Sequence, residues 1–153
     1  QMLLGQVKLM TDSGLNKINL TSENKAHRHP SGALRQRRDF LFVQHKGVRQ
    51  VMNHFILQAA VKPNSIALQP ALSYRTGVTA SKKVGNAVAR NRAKRRMRAL
   101  FRNLEFGHAP PGTDYVLIAR HSLVQAAWVE LLADFSIAAK RIHKKLTKTA
   151  AQE

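Results

Sequence analysis

The segment Ser81–Arg102, SKKVGNAVARNRAKRRMRALFR, constrains the fold more than any other stretch of this chain. It carries nine cations, Lys82, Lys83, Arg90, Arg92, Lys94, Arg95, Arg96, Arg98 and Arg102, and no Asp or Glu. Its apolar residues nevertheless keep helical spacing. With Met97 as origin, Ala93, Leu100, Phe101 and Leu104 fall within about 60° of it around a helix. That stripe can bury against a core. Asn91, Arg92, Arg95, Arg98 and Arg102 fall on the far side, while Lys94 sits at the edge of the stripe and Arg90 at the helix start. One face packs and the other presents guanidinium groups, whose planar forks match phosphate oxygens. Gly85-Asn86 supplies the turn and cap that begin the helix, where free N–H groups add anion affinity.

A basic helix face is often only solvated, and short Lys/Arg runs also act as import signals. The surroundings favour a polyanion partner. From Phe40 to Leu104 there is no acidic residue, while Lys and Arg occur thirteen times. A surface built only for solubility mixes signs. A single-sign field over a folded region is the footprint of a nucleic-acid binder. The whole chain of 153 residues carries a net charge of +18. That length suits one domain with a real core. There are no cysteines, so disulfides and thiolate metal sites are out, and a reducing cytoplasm is the simple expectation. No apolar run reaches the length of a membrane span, and Gly5, Gln6, Lys8 and Asp12 interrupt any signal-peptide core. The seven His residues show no metal-ligand spacing; His27 and His29 are close, but a pair in a polar stretch is a weak signal.

The stretch SKKVGNAVARNRAKRRMR resembles the signature of the bacterial ribonuclease P protein subunit, with its Arg-Asn-Arg core at Arg90, Asn91 and Arg92. Three other stretches agree in order and spacing. RRDF (Arg37–Phe40) resembles that family's first helix, YRTGVTASKK (Tyr74–Lys83) the strand leading into the basic helix, and PPGTDYVLIAR (Pro110–Arg120) the last strand.

Taken in order, residues 1–33 read as a flexible tail with no aromatic, broken by Pro30 and Gly32. Residues 34–146 form the RNA-binding domain and 147–153 a disordered end. RQRRDFLFVQHK (35–46) predicts a short helix stopped by Gly47. Residues 48–61 predict a strand pair, or a strand and a bend, with Phe55, Leu57, Ala59 and Val61 alternating against Ile56, Gln58 and Ala60. Lys62–Pro70 is a loop. Tyr74–Ser81 is a strand on which Gly77 either admits a ligand or marks a bulge. After the basic helix and a Pro110-Pro111 loop, Tyr115–Ala119 is apolar enough for a central, two-sided strand. A last helix runs from about Leu123 to Leu146, with Trp128, Leu131, Leu132, Phe135, Ala139 and Ile142 as its core stripe. Its basic end, KRIHKKLTK, is expected to fray.

The order helix, strands, helix, strand, helix gives an α+β fold, a two-layer α/β sandwich with a small mixed sheet. The resemblance implies a left-handed crossover around the basic helix, where general rules favour the right-handed one.

No catalytic constellation is visible. The eight acids are scattered, and none lies in the best-formed region. A two-metal hydrolytic site needs clustered carboxylates, so the chain alone reads as a binder. The resemblance implies an endoribonuclease holoenzyme in which a catalytic RNA subunit carries the Mg²⁺ and the chemistry, and removes the 5′ leader of precursor tRNA. It implies RNA contacts from Lys82, Lys83, Arg90, Asn91, Arg92, Lys94, Arg95, Arg98 and Arg102. It implies a leader cleft made by Phe40, Phe55, Arg90, Asn91 and Lys94, with Arg90 on the sheet side of its helix. No catalytic residue, metal ligand, membrane or protein partner is expected of the chain itself. Two positions depart from the family pattern: Gln44 and Gln58 stand where aromatics are usual, which makes the cleft less aromatic. A ribosomal or other structural RNA-binding protein is the alternative. A helical DNA-binding module fits less well, because a strand precedes the basic helix and no dimerisation heptads follow.

Overall fold

The computed structural model describes residues 32–61, 74–103 and 112–152. Residues 1–31, 62–73, 104–111 and 153, on which the expected tail, the expected Lys62–Pro70 loop and Leu104 of the helical stripe fall, lie outside the described residues. The elements are α1 (Arg37–Lys46), β1 (Val48–Val51), β2 (Phe55–Val61), β3 (Tyr74–Thr79), a 3₁₀ turn (Lys82–Val84), α2 (Ala87–Asn103), β4 (Thr113–Ala119), a second 3₁₀ turn (His121–Val124) and α3 (Trp128–Gln152). The strands form one mixed sheet in the order β1-β2-β4-β3. The pairs β1–β2 and β2–β4 are antiparallel, and β3–β4 is parallel with α2 as its crossover. The α+β class and element order follow the sequence pattern.

Residues of alternate parity on the strands serve two separate cores, as a pleated sheet requires. Phe55, Leu57 and Ala59 of β2 and Tyr115, Leu117 and Ala119 of β4 face α2 and α3. There Ala93, Met97, Leu100 and Phe101 of α2 meet Leu131, Phe135, Ala138, Ala139, Ile142 and Leu146 of α3. Phe135 lies edge-to-face with Phe55 and Phe101, at 6.0 and 5.5 Å between ring centroids. Such pairs contribute ~0.5–1.5 kcal/mol each beyond area burial. On the opposite face Leu34, Val43, Ala60 and Val116 form a smaller cluster, with Phe40, Phe42 and Ile118 packed against it. The sheet and the α2/α3 pair are the two expected layers; α1 adds a short third on the other side. The strand β4 is central and buried on both faces, as its apolar run implies.

Several boundaries move. The last helix begins at Trp128, not near Leu123. The carbonyls that would start it earlier are taken by Arg96, whose guanidinium donates to Leu123 O, Val124 O and Ala126 O at 3.1, 2.7 and 2.6 Å. The same helix runs on to Gln152, past the Leu146 limit, so the expected fraying end is helical. No Gly or Pro stops it, and its Ala, Lys and Gln are good helix formers. At the other end the domain includes Gly32 and Ala33. Leu34 N–H donates to Thr76 O (2.8 Å) and Thr76 N–H to Gly32 O (3.2 Å), which covers the outer edge of β3.

Candidate RNA-binding surfaces

The helix α2 starts as its sequence dictates. Gly85 takes φ +146°, a conformation side chains rarely adopt. Asn86 then caps the helix, its Oδ1 accepting from Ala89 N–H at 2.9 Å. Ala93, Met97 and Leu100 are fully buried, so the apolar stripe packs where helical spacing puts it. Asn91, Arg92, Arg95, Arg98 and Arg102 are exposed, as are Lys82 and Lys83 on the 3₁₀ turn before the helix. Lys94 and Arg90 are half-buried, and Arg90 Nε is buried with no hydrogen-bond partner. Arg92 Nε donates to Val124 O at 3.3 Å, so its fork is partly engaged within the fold. Arg96 belongs to the structure. Besides its three carbonyls it lies over the Trp128 ring at 5.8 Å, a cation–π contact. Burial, then repulsion from Arg92, lowers its pKa from the usual guanidinium value. Trp128 is thereby committed to the fold and not to base stacking.

The other surface is a groove of about 420 Å³ between α1 and the sheet. Phe40, Leu41 and Gln44 line it from α1, Gln58 from β2, Thr79 from β3, and Val116 and Ile118 from β4. Arg35 and Arg37 stand on its rim, both exposed. The ring of Phe40 is placed by Gly77. A Cβ at residue 77 would lie 2.7 Å from Phe40 Cε1 and Cζ and 3.1 Å from Leu34 Cβ. The close approach that Gly77 permits is therefore to an aromatic side chain of the protein. Arg75, on the same face, holds α1 to the sheet. Its Nε and Nη2 pair with both Asp114 oxygens at 2.9 and 2.7 Å, and its Nη2 lies 3.7 Å from Asp39. Both carboxylates are buried. The bidentate Asp114 bond raises the Arg75 pKa further above its usual value, against the opposing effect of burial.

The structure does not bring together the five residues expected at the leader cleft. Phe40 lines the groove. Phe55 does not: β2 turns it to the opposite face, where it is fully buried against Phe135. The strand places Gln58, not Phe55, on the groove side, because three residues apart means opposite faces. Arg90, Asn91 and Lys94 are also absent from the groove lining. They belong to α2, which packs on the far side of the sheet from α1. Gln44 and Gln58, the two positions expected to carry aromatics, both line the groove.

Comparison with known proteins agrees with this architecture. A family model described as Ribonuclease P matches residues 29–143. The chain belongs to the ribonuclease P protein family. It is 42% identical over 120 residues to the ribonuclease P protein component of Paramagnetospirillum magneticum, covering 78% of this chain and 88% of that one. With the ribonuclease P protein component of Ruegeria pomeroyi it shares 41% identity over 111 residues, 72% of this chain and 85% of the relative. The solved ribonuclease P protein of Thermotoga maritima superposes with a TM-score of 0.58 at 28% identity, over 72% of this chain and 96% of that one.

Arg35, Arg37, Thr79 and Ile118 in the groove were missed by sequence reasoning. The cationic run RQRR before Phe40 was a signal for the first two. Thr79 and Ile118 carried none, since only strand register brings them together.

Proposed function

We propose a division of labour for this chain within ribonuclease P. The ribonuclease P protein works with an RNA subunit in a ribonucleoprotein that processes the 5′ ends of tRNA. In the proposed arrangement the exposed α2 cations, with Lys82 and Lys83, dock on the catalytic RNA. The groove beside α1 takes the single-stranded 5′ leader of precursor tRNA. Phe40 stacks on a base, and Arg35 and Arg37 meet phosphates. The observation that carries this reading is the opposition of the two surfaces: a row of guanidinium groups on one side of the sheet, a part-apolar groove with a cationic rim on the other. An aromatic wall suits unpaired bases, because every base has a face to stack. A rigid cationic helix suits the phosphates of a folded RNA.

Among the described residues, no group of side chains fits the Mg²⁺ of the proposed reaction. Among the described residues, one cluster of three potential ligands exists, His54, Glu130 and Asp134, with ligand atoms within 4.8 Å of one another. His54 is held there by Ser122 Oγ (2.7 Å) and Glu130 (2.9 Å). Mg²⁺ is a hard cation that prefers an octahedral shell of oxygens, and an imidazole with two carboxylates is a poor match. None of the three lines the groove. The Mg²⁺ ligands are proposed to come from the RNA subunit, and no step is assigned to a side chain of this protein. The cytoplasm is the proposed compartment; no described helix is long and apolar enough to cross a membrane.

The test combines reconstitution with one variant. The protein without RNA leaves precursor tRNA intact in Mg²⁺, and adding its catalytic RNA restores cleavage at the mature 5′ end. With saturating catalytic RNA, Phe40→Ala weakens precursor tRNA binding by ~1–3 kcal/mol and leaves mature tRNA binding unchanged. Equal loss on both tRNAs, or a lower melting temperature alone, makes Phe40 a packing residue and removes the groove assignment. RNA recovered with the protein from cells is dominated by one structured species; ribosomal RNA instead points to the structural RNA-binding alternative.

A further inference from the structure

The turn between β1 and β2 brings His54 against the start of α3. There Glu130 and Asp134 stand one helical turn apart, and the ligand atoms of all three lie within 4.8 Å of one another. His54 Nε2 meets Glu130 Oε1 at 2.9 Å, and an ion pair accounts for those two residues. It does not account for Asp134, whose Oδ2 is buried and has no hydrogen-bond partner. Buried polar atoms are nearly always satisfied, because a bare one costs the loss of its hydration. Cations are not scarce, since the chain holds 26 Lys and Arg. Arg75 meets Asp39 and Asp114, yet among the described residues no Lys or Arg pairs with Glu130 or Asp134.

His54 is oriented as a metal ligand would be. Ser122 Oγ donates to Asn53 O (3.3 Å), so the 2.7 Å contact with His54 is donated by Nδ1–H. A hydrogen bond at one ring nitrogen fixes the other as the ligand atom. Here that atom is Nε2, which faces the carboxylates. Two atoms each about 2.1 Å from one zinc ion lie about 3.0–3.4 Å apart, according to the coordination angle. The 2.9 Å between Nε2 and Oε1 needs little widening to reach that range. One imidazole with two carboxylates suits zinc and its first-row neighbours, whereas Mg²⁺ and Ca²⁺ favour oxygen alone. We propose that His54, Glu130 and Asp134 bind one divalent cation of the zinc type, with water completing its shell. The metal satisfies the stranded Asp134 oxygen and ties the β1–β2 turn to α3. The adjoining 3₁₀ turn carries Ser122, and its Leu123 and Val124 carbonyls accept from Arg96 and Arg92 of α2. The role of the metal is therefore structural: it braces the corner against which α2 is seated. The site is independent of how the two RNA surfaces are assigned.

The experiment uses the full chain, freed of metal by a chelator, with zinc chloride as the probe. The wild type is expected to take up one equivalent in calorimetry and to melt at a higher temperature in Zn²⁺, but not in the same concentration of Mg²⁺. On zinc addition the nitrogen resonance of His54 Nε2 shifts while Nδ1 stays protonated, which separates this site from adventitious binding at other His residues. Asp134→Asn keeps the side-chain shape and removes the stranded charge. Its metal-free melting temperature is expected to equal or exceed that of the wild type, while zinc binding weakens at least about tenfold. Ser122→Ala, which only frees the imidazole to turn, weakens zinc binding by about 10–100-fold. Glu130→Gln, at an exposed position, is the second ligand variant if Asp134→Asn does not fold. A wild type without a zinc response, a response equalled by Mg²⁺, or zinc binding that survives both Asp134→Asn and Glu130→Gln overturns the inference.

Discussion

The two faces of the sheet solve different problems with the same four strands. Towards α2 and α3, Phe55, Leu57 and Ala59 of β2 and Tyr115, Leu117 and Ala119 of β4 are apolar or aromatic, with Thr113 the buried polar exception, and three phenylalanines interlock with buried Leu, Met and Ala. Towards α1, the inward positions are Ile56, Gln58 and Ala60 on β2, Asp114, Val116 and Ile118 on β4, and Arg75, Gly77 and Thr79 on β3. That side has a small cluster, a charged network around Arg75 and an open groove. A short helix cannot cover four strands, so part of this face stays accessible. Stability is concentrated on one face, and the proposed recognition groove lies on the other. The exposed side of α2 adds a third surface that needs no cavity, only charges held at fixed spacing.

The contrast can be broken most forcefully from the packed face. Leu100→Ala is expected to cost ~2–5 kcal/mol, because the cavity would open inside the larger core. Urea unfolding measures this. A loss below ~1 kcal/mol would mean that α2 is not seated by its apolar stripe. Arg75→Ala comes next, at about 3 kcal/mol, since it leaves the buried Asp114 and Asp39 without their cation. Partial exposure of Arg75 holds the effect to the low end for a broken buried pair. Adding Asp114→Asn should recover part of the loss by removing one stranded charge; no recovery would show that Arg75 acts through packing alone.

A substitution at Gly77 sharpens the link between packing and recognition on the groove face. Gly77→Ala places a methyl group against the Phe40 ring and should cost ~1–3 kcal/mol. If the ring swings away to relieve it, preference for precursor over mature tRNA falls in the same variant. A stability loss with unchanged preference would separate the Phe40 position from leader binding. Arg95→Ala has the smallest expected effect on the fold, within about 0.5 kcal/mol, because its side chain is exposed. Its effect is on RNA affinity, where the slope of log K against log salt should decrease by about one. An unchanged slope would take Arg95 out of the phosphate contacts.

Much of this was determined by the sequence alone. The phase of Ala93, Met97, Leu100 and Phe101 sets which side of α2 packs, and that same phase points Arg95, Arg98 and Arg102 outward. Helical periodicity is a local property, so no tertiary information was needed. The Asn86 cap, the Gly47 stop and the two-sided character of Tyr115–Ala119 were legible for the same reason. Tertiary structure decided what depends on which face of a sheet a strand turns to its neighbours. Alternation separated Phe55, Leu57 and Ala59 from Ile56, Gln58 and Ala60, but could not say which set meets α1. That choice moved Phe55 from the cleft into the main core and placed Gln58 on the groove floor. It likewise put the start of α2 on the far side of the sheet from Phe40. Arg96 and Arg75 looked like two more cations in a basic chain. Their partners lie 27 to 39 residues away, and only the folded chain brings those carbonyls and carboxylates within reach.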